Sequence, residues 1–123
     1  MNPENRNAVR QEVPINPETG KPVLNTVAAL AVAPSASGSE LSQYVAQVIQ
    51  VIEQSGLNYE TNAMFTNIEG DLDDVLAVVR DASHVLAEQG YRTSVSLKLD
   101  IRPGFEQQMQ EKPQLIAQIL HQN

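Results

Sequence analysis

Apolar and polar positions along this chain change period several times, and each change marks an element. Thr26 to Ala33 is a short apolar run with Ala28, Leu30 and Val32 on one face, ended by Pro34, and it predicts a buried strand. A loop rich in serine follows, after which Leu41, Tyr44, Val45, Val48 and Ile52 recur at helical spacing. Ser37 or Ser39 can cap that helix, with Ser37 and Glu40 spaced as a capping box, and Gly56 ends it. Leu57 to Met64 alternates as a second strand, and a third, Phe65 to Glu69, must follow with almost no turn. Gly70 to Asp74 opens a second helix with three carboxylates in its first turn, where they complement the helix dipole. Leu72, Val75, Leu76, Val79 and Leu86 form its expected buried stripe, and Gly90 closes it. Thr93 to Ile101 alternates as a last strand, with Val95, Leu97 and Leu99 on one face and Ser94, Ser96, Lys98 and Asp100 on the other.

The order strand, helix, strand, strand, helix, strand is a doubled split βαβ unit. It predicts an α+β, ferredoxin-like βαββαβ sandwich, in which a four-stranded antiparallel sheet carries both helices on one face. Residues 26–102 make this domain. Residues 1–25 contain Pro3, Pro14, Pro17 and Pro22 and no apolar periodicity, so they read as a flexible tail, with docking through Val23 and Leu24 as the alternative. Residues 103–123 form a C-terminal helical extension carrying Phe105, Met109, Leu115, Ile116, Ile119 and Leu120, interrupted at Pro113.

The length of 123 residues suits one domain, and composition then narrows the function. The net charge is −7, and the first 25 residues are balanced, so the whole excess lies in residues 26–123. That argues against nucleic acid and anionic membrane as partners. Cysteine is absent, which excludes disulfides, thiolate metal sites and a cysteine nucleophile. No apolar stretch reaches the roughly 20 residues of a membrane span and no secretory leader is visible, so the expected location is cytoplasmic. His84 and His121 have no metal-ligand spacing, Asp71, Asp73 and Asp74 read as helix-capping charge, and no phosphate-binding glycine motif occurs. Ser35, Ser37 and Ser39 have no base placed for them. The expectation is a protein that is not an enzyme and needs no metal or cofactor.

With both helices on one face, the other face of the sheet is left open. The expected open face carries Ala29, Ala31 and Ala33, then Glu60, Asn62 and Met64, then Thr66, and finally Ser94, Ser96 and Lys98. A face of such small side chains suits a second subunit or a flat ligand.

Six segments then point to a family: Pro34, Ser39-x-Leu-Ser-x-Tyr-Val-Ala46, Ser55-Gly-Leu-x-Tyr-Glu60, Met64-x-Thr66, Ile68-Glu-Gly-Asp-Leu-Asp73 and Lys98-Leu-Asp-x-Arg102. In that order and spacing the chain resembles the small YkoF-like thiamine-binding proteins from about Thr26 to Arg102. It departs from their pattern at Pro34-Ser35-Ala36, at Ser83 and at Arg92-Thr93, and residues 105–123 find no counterpart. The resemblance implies a ferredoxin-like fold, a homodimer or homotetramer formed through sheet faces or edges, and binding of thiamine or its pyrimidine part without chemistry. Thiamine joins a flat aminopyrimidine to a thiazolium cation. Glu60 or Glu69 would meet the charge, Asn62, Thr66 and Ser96 would supply hydrogen bonds, and Met64 a soft wall, with Ser39 at the start of the first helix. Two rivals remain at this point: a ligand-free regulatory or structural oligomerisation module of the same fold, and a small enzyme. The enzyme would need a side chain aimed into a pocket, and Tyr44 and Tyr59 read better as core.

Overall fold

The computed structural model describes residues 10–35, 41–104 and 108–120. The elements are β1 (Asn25–Pro34), α1 (Leu41–Gln54), β2 (Asn58–Thr61), β3 (Thr66–Asp71), α2 (Leu72–Ala87), β4 (Thr93–Ile101) and α3 (Gln108–Leu120). The four strands form one antiparallel sheet in the order β2-β3-β1-β4. This is the expected ferredoxin-like arrangement, because β1 and β3, each followed by a helix, lie side by side in the centre.

Strand β1 explains the two-layer build. Its even-numbered residues, Thr26 through Pro34, are buried and its odd-numbered ones half-buried. The even set packs under α1 and α2, where Ala28, Leu30, Val32, Val48, Ile52, Ile68, Val75, Val78, Ala82 and Leu86 form the core. In α1, Tyr44, Val48 and Ile52 follow the expected stripe. Tyr44 and Tyr91 stack edge to face with centroids 4.9 Å apart and share a 3.0 Å hydroxyl hydrogen bond, tying the start of α1 to the chain after α2. Gly56, at φ +76°, supplies the left-handed turn that ends α1.

Three expectations are corrected. In α2 the buried stripe is Val75, Val78, Ala82 and Leu86, whereas Leu76 is 42 % exposed, so the helix is turned by part of a residue step from the expected orientation. Asp71 occupies the N-cap of α2 without bonding its first turn; its Oδ1 instead accepts the Leu24 N–H at 2.8 Å, while the Leu72 N–H donates to the Leu24 carbonyl. Finally, α3 runs through position 113, because a proline removes one backbone donor while the bonds on either side can carry the helix on. The expected caps Ser37 and Ser39, with Glu40, lie outside the described residues.

Within the N-terminal segment, residues 14–23 form a tight turn. Val23 N–H donates to Pro14 O at 2.8 Å and Asn16 N–H to Lys21 O at 2.9 Å, with Gly20 at φ +71°. Gly104, at φ +81°, meets this segment so closely that an added Cβ would stand 2.6 Å from Gln11 Cβ. No described helix is long and apolar enough to cross a membrane.

Candidate binding site

The site arises from unequal strand lengths. The β1–β4 ladder continues to Pro34↔Thr93, but the β1–β3 ladder stops at Leu30↔Thr66. Beyond Leu30 the neighbouring chain turns away as the hairpin loop Asn62-Ala63-Met64-Phe65. Asn62 holds that turn: its N–H donates to Phe65 O at 2.9 Å, and its Oδ1 accepts the N–H groups of Met64 and Phe65 at 2.9 Å each.

The departure leaves a cavity of about 240 Å³ between Leu30–Ala33 of β1, the hairpin loop with Thr61 and Thr66, and Val45, Val48, Ile49 and Ile52 of α1. That is below the roughly 300–1,000 Å³ of drug-sized pockets, and it suits a single ring with a short substituent. Its walls are mostly apolar. Thr61 and Thr66 place their hydroxyls 3.2 Å apart in it, and the described lining residues include no charged side chain. Among the described residues no cluster of His, Asp or Glu is built to hold a metal ion.

This geometry divides the residues singled out by sequence. Asn62, Met64 and Thr66 come together at the cavity, but none of them lies on the open face of the sheet, which is a correction. Asn62 and Met64 belong to the loop, and Met64 is 74 % exposed. Thr66 pairs with Leu30 on the helix-covered face and is 6 % exposed. The hairpin pairs Thr61 with Thr66 and Glu60 with Asn67, so an even residue always faces an odd one. Reading 57–69 as nearly continuous carries the alternation through without that reversal, and a one-residue slip moves every side chain to the other face.

Glu60, Glu69 and Ser96 do lie on the open face, through their places opposite Asn67, Val27 and Ala31. Glu69 is committed elsewhere. At 7 % exposure it accepts Asn25 Nδ2 at 2.8 Å and the Met109 N–H at 3.0 Å, so it anchors the first turn of α3 against the sheet. Arg102 Nε donates to Asp100 Oδ2 at 2.7 Å, and this bond, with the charges of Asp100 and Glu69, raises the Arg102 pKa above its ordinary value. Glu60 is the exposed member of the pair of carboxylates. Ser39 lies outside the described residues. His84 is exposed and bonded to Glu88 at 2.9 Å, as an ordinary helix-surface pair.

Sequence reasoning missed the α1 wall, Val45, Val48, Ile49 and Ile52, and the β1 wall Leu30–Ala33. The signal was present in the lengths: β1 has 10 residues and β3 only 6, so part of β1 must lack a neighbour on that side.

Comparison with known proteins fits this build. A UPF0045 protein of Mycobacterium tuberculosis is 36 % identical over 98 residues, which is 79 % of this chain and 96 % of that protein. A UPF0045 protein of Methanocaldococcus jannaschii is 34 % identical over 93 residues, 76 % of this chain and 93 % of its own length. The crystal structure of a hypothetical protein from Methanocaldococcus jannaschii superposes with a TM-score of 0.69 at 34 % identity, covering 76 % of this chain and 96 % of that one. A putative thiamine biosynthesis/salvage protein from Thermotoga maritima shares the fold, with a TM-score of 0.62 at 20 % identity over 72 % of this chain and 98 % of its own. The Thiamine-binding protein family model matches residues 28–117, extending well into α3, where sequence reading found no counterpart. With the match beginning on β1 and spanning the whole sheet and the cavity, the chain belongs to the Thiamine-binding protein family.

Proposed function

We propose that this protein binds thiamine, or a related pyrimidine or thiazolium compound, in the cavity beside β1, and carries out no reaction on it. The observation that carries the reading is a ring-sized, largely apolar cavity with two hydroxyls and an amide at its rim, in a chain of this family. The aromatic half of the ligand suits the apolar walls, and the hydroxyls of Thr61 and Thr66 suit its ring nitrogens. The excess negative charge of residues 26–123 attracts a cation toward the domain as a whole, whereas Glu60, the neighbour of Thr61 in β2, faces the open side of the sheet, away from the cavity. No metal or cofactor is required for such binding. Calorimetric titration with thiamine tests it: binding weakened by Thr66→Ala and by Thr61→Ala supports the site, and the absence of any heat at millimolar ligand overturns the reading.

A second reading, a ligand-free oligomerisation module, is favoured by one feature. The outer side of β4 faces no other strand among the described residues, and Val95, Leu97 and Ile101 beside it are 39–44 % exposed. Both readings accommodate a homodimer or homotetramer formed through sheet edges or faces. Light scattering with and without thiamine separates them, because a pure oligomerisation module keeps its mass and shows no ligand effect.

A further inference from the structure

The β1 wall of the cavity has a property that follows from register alone. Leu72 N–H donates to Leu24 O, and these two residues belong to the same antiparallel register as Leu30↔Thr66. Arg102 N–H donates to Asn25 O and Ser35 N–H to Arg92 O, in the register that pairs β1 with β4. The alternation of antiparallel ladders then assigns the even residues of β1 to bonds with β3 and the odd ones to bonds with β4. Thr26, Ala28 and Leu30 find β3 partners, and the ladder ends there. Val32 is the next residue of that parity, so its N–H and C=O point toward the side from which the hairpin loop has withdrawn, where the cavity lies. A buried main-chain donor and acceptor without a strand partner need another group to bond.

We propose that the N–H and C=O of Val32 read the amino edge of a 4-aminopyrimidine ring; this rests on the thiamine reading above and specifies which half of the ligand enters. A 4-aminopyrimidine presents a ring nitrogen, which accepts, beside an amino group, which donates. Val32 offers the complementary pair, a donor and an acceptor on one side of one residue. The apolar walls from α1 and the loop then stack against the ring, and the thiazolium stays toward solvent, in keeping with a lining that shows no charged side chain among the described residues. An added peptide strand is a poorer occupant. Strand addition needs a run of alternate residues, and here Pro34 follows Val32 in that parity and has no N–H to give.

Three compounds separate this proposal from the reading on which it rests: thiamine, pyrithiamine and oxythiamine. Pyrithiamine keeps the aminopyrimidine and replaces the thiazolium ring. Oxythiamine keeps the thiazolium but has an oxo group in place of the amino group and a proton on the adjacent nitrogen, which inverts donor and acceptor at that edge. Calorimetry is expected to give pyrithiamine an affinity within several-fold of thiamine and oxythiamine one about 100-fold weaker, because both main-chain groups then face like partners. The Val32 amide resonance is expected to shift on addition of thiamine. Oxythiamine binding within threefold of thiamine, or a Val32 amide unmoved at saturation, overturns the Val32 assignment while the thiamine reading stands. Absence of binding by all three overturns both.

Discussion

Filling the cavity is the most direct test that it is the binding site. Val45 is half-buried on α1 and lines the cavity. Val45→Phe adds four carbons to its side chain. Full burial of that increment at about 0.8 kcal/mol per methylene would contribute roughly 3 kcal/mol; half-burial at an open cavity halves it to about 1.5 kcal/mol. The opposing term is overpacking, about 1–3 kcal/mol where no room exists. A cavity of about 240 Å³ exceeds what the enlarged side chain needs, so the hydrophobic gain wins. Urea unfolding is therefore expected to give an unchanged slope and a midpoint raised by the equivalent of about 1–1.5 kcal/mol. Calorimetry on the same variant is expected to show thiamine binding lost. A variant that is more stable yet binds thiamine as before refutes the location of the site. One that is destabilised by more than about 1 kcal/mol refutes the claim that the space is there.

Other substitutions probe the rest of the build. Ile68→Ala empties a fully buried position in β3 and is expected to lower unfolding stability by about 2–5 kcal/mol in urea. Glu69→Gln keeps the shape but removes the charged acceptor shared by Asn25 and Met109; a loss of about 1–2 kcal/mol and faster hydrogen exchange at the Met109 amide are expected. Gly104→Ala sets a Cβ against Gln11 at a positive φ, and a loss of about 1–2 kcal/mol is expected by thermal unfolding, with no change meaning that the N-terminal segment does not pack there. Leu97→Lys adds a charge beside the outer side of β4; the monomer fold should persist by circular dichroism, and light scattering should show any sheet-edge dimer lost.

Much of the fold was legible because its determinants are local. Thr26 to Ala33 announced β1 by its apolar run, Gly56 announced the end of α1, and the alternation from Thr93 to Ile101 gave β4 with its faces correctly assigned. The exposure of Val95, Leu97 and Ile101 was not legible, because alternation tells which face a residue takes but not whether a helix reaches far enough to cover the edge strand. The same distinction separates Leu76 from Val78: both satisfy a helical apolar period, and only packing against the sheet decides which is buried.

The candidate site turns on one hairpin. Sequence reading placed Asn62, Met64 and Thr66 at a common site, and they do meet, although it placed them on the wrong side of the sheet. Asn62 carries the physical cause: by accepting two main-chain N–H groups through its side chain, it makes a tight turn at the place where an alternating pattern suggests uninterrupted strand. That turn reverses the parity and takes Thr66 under the helices beside Thr61. It also ends the β1–β3 ladder two residues short of Val32, so the cavity and the main-chain edge of β1 left without a strand partner have the same origin. Replacing Asn62 by alanine removes both side-chain bonds at once. If the turn creates the site, Asn62→Ala should weaken thiamine binding more than tenfold while lowering stability by only about 1–2 kcal/mol, since the loop is exposed and the core beneath it is untouched. Thiamine binding unchanged in that variant would mean that the gap beside β1 persists without the turn, and the account given for its origin would fail.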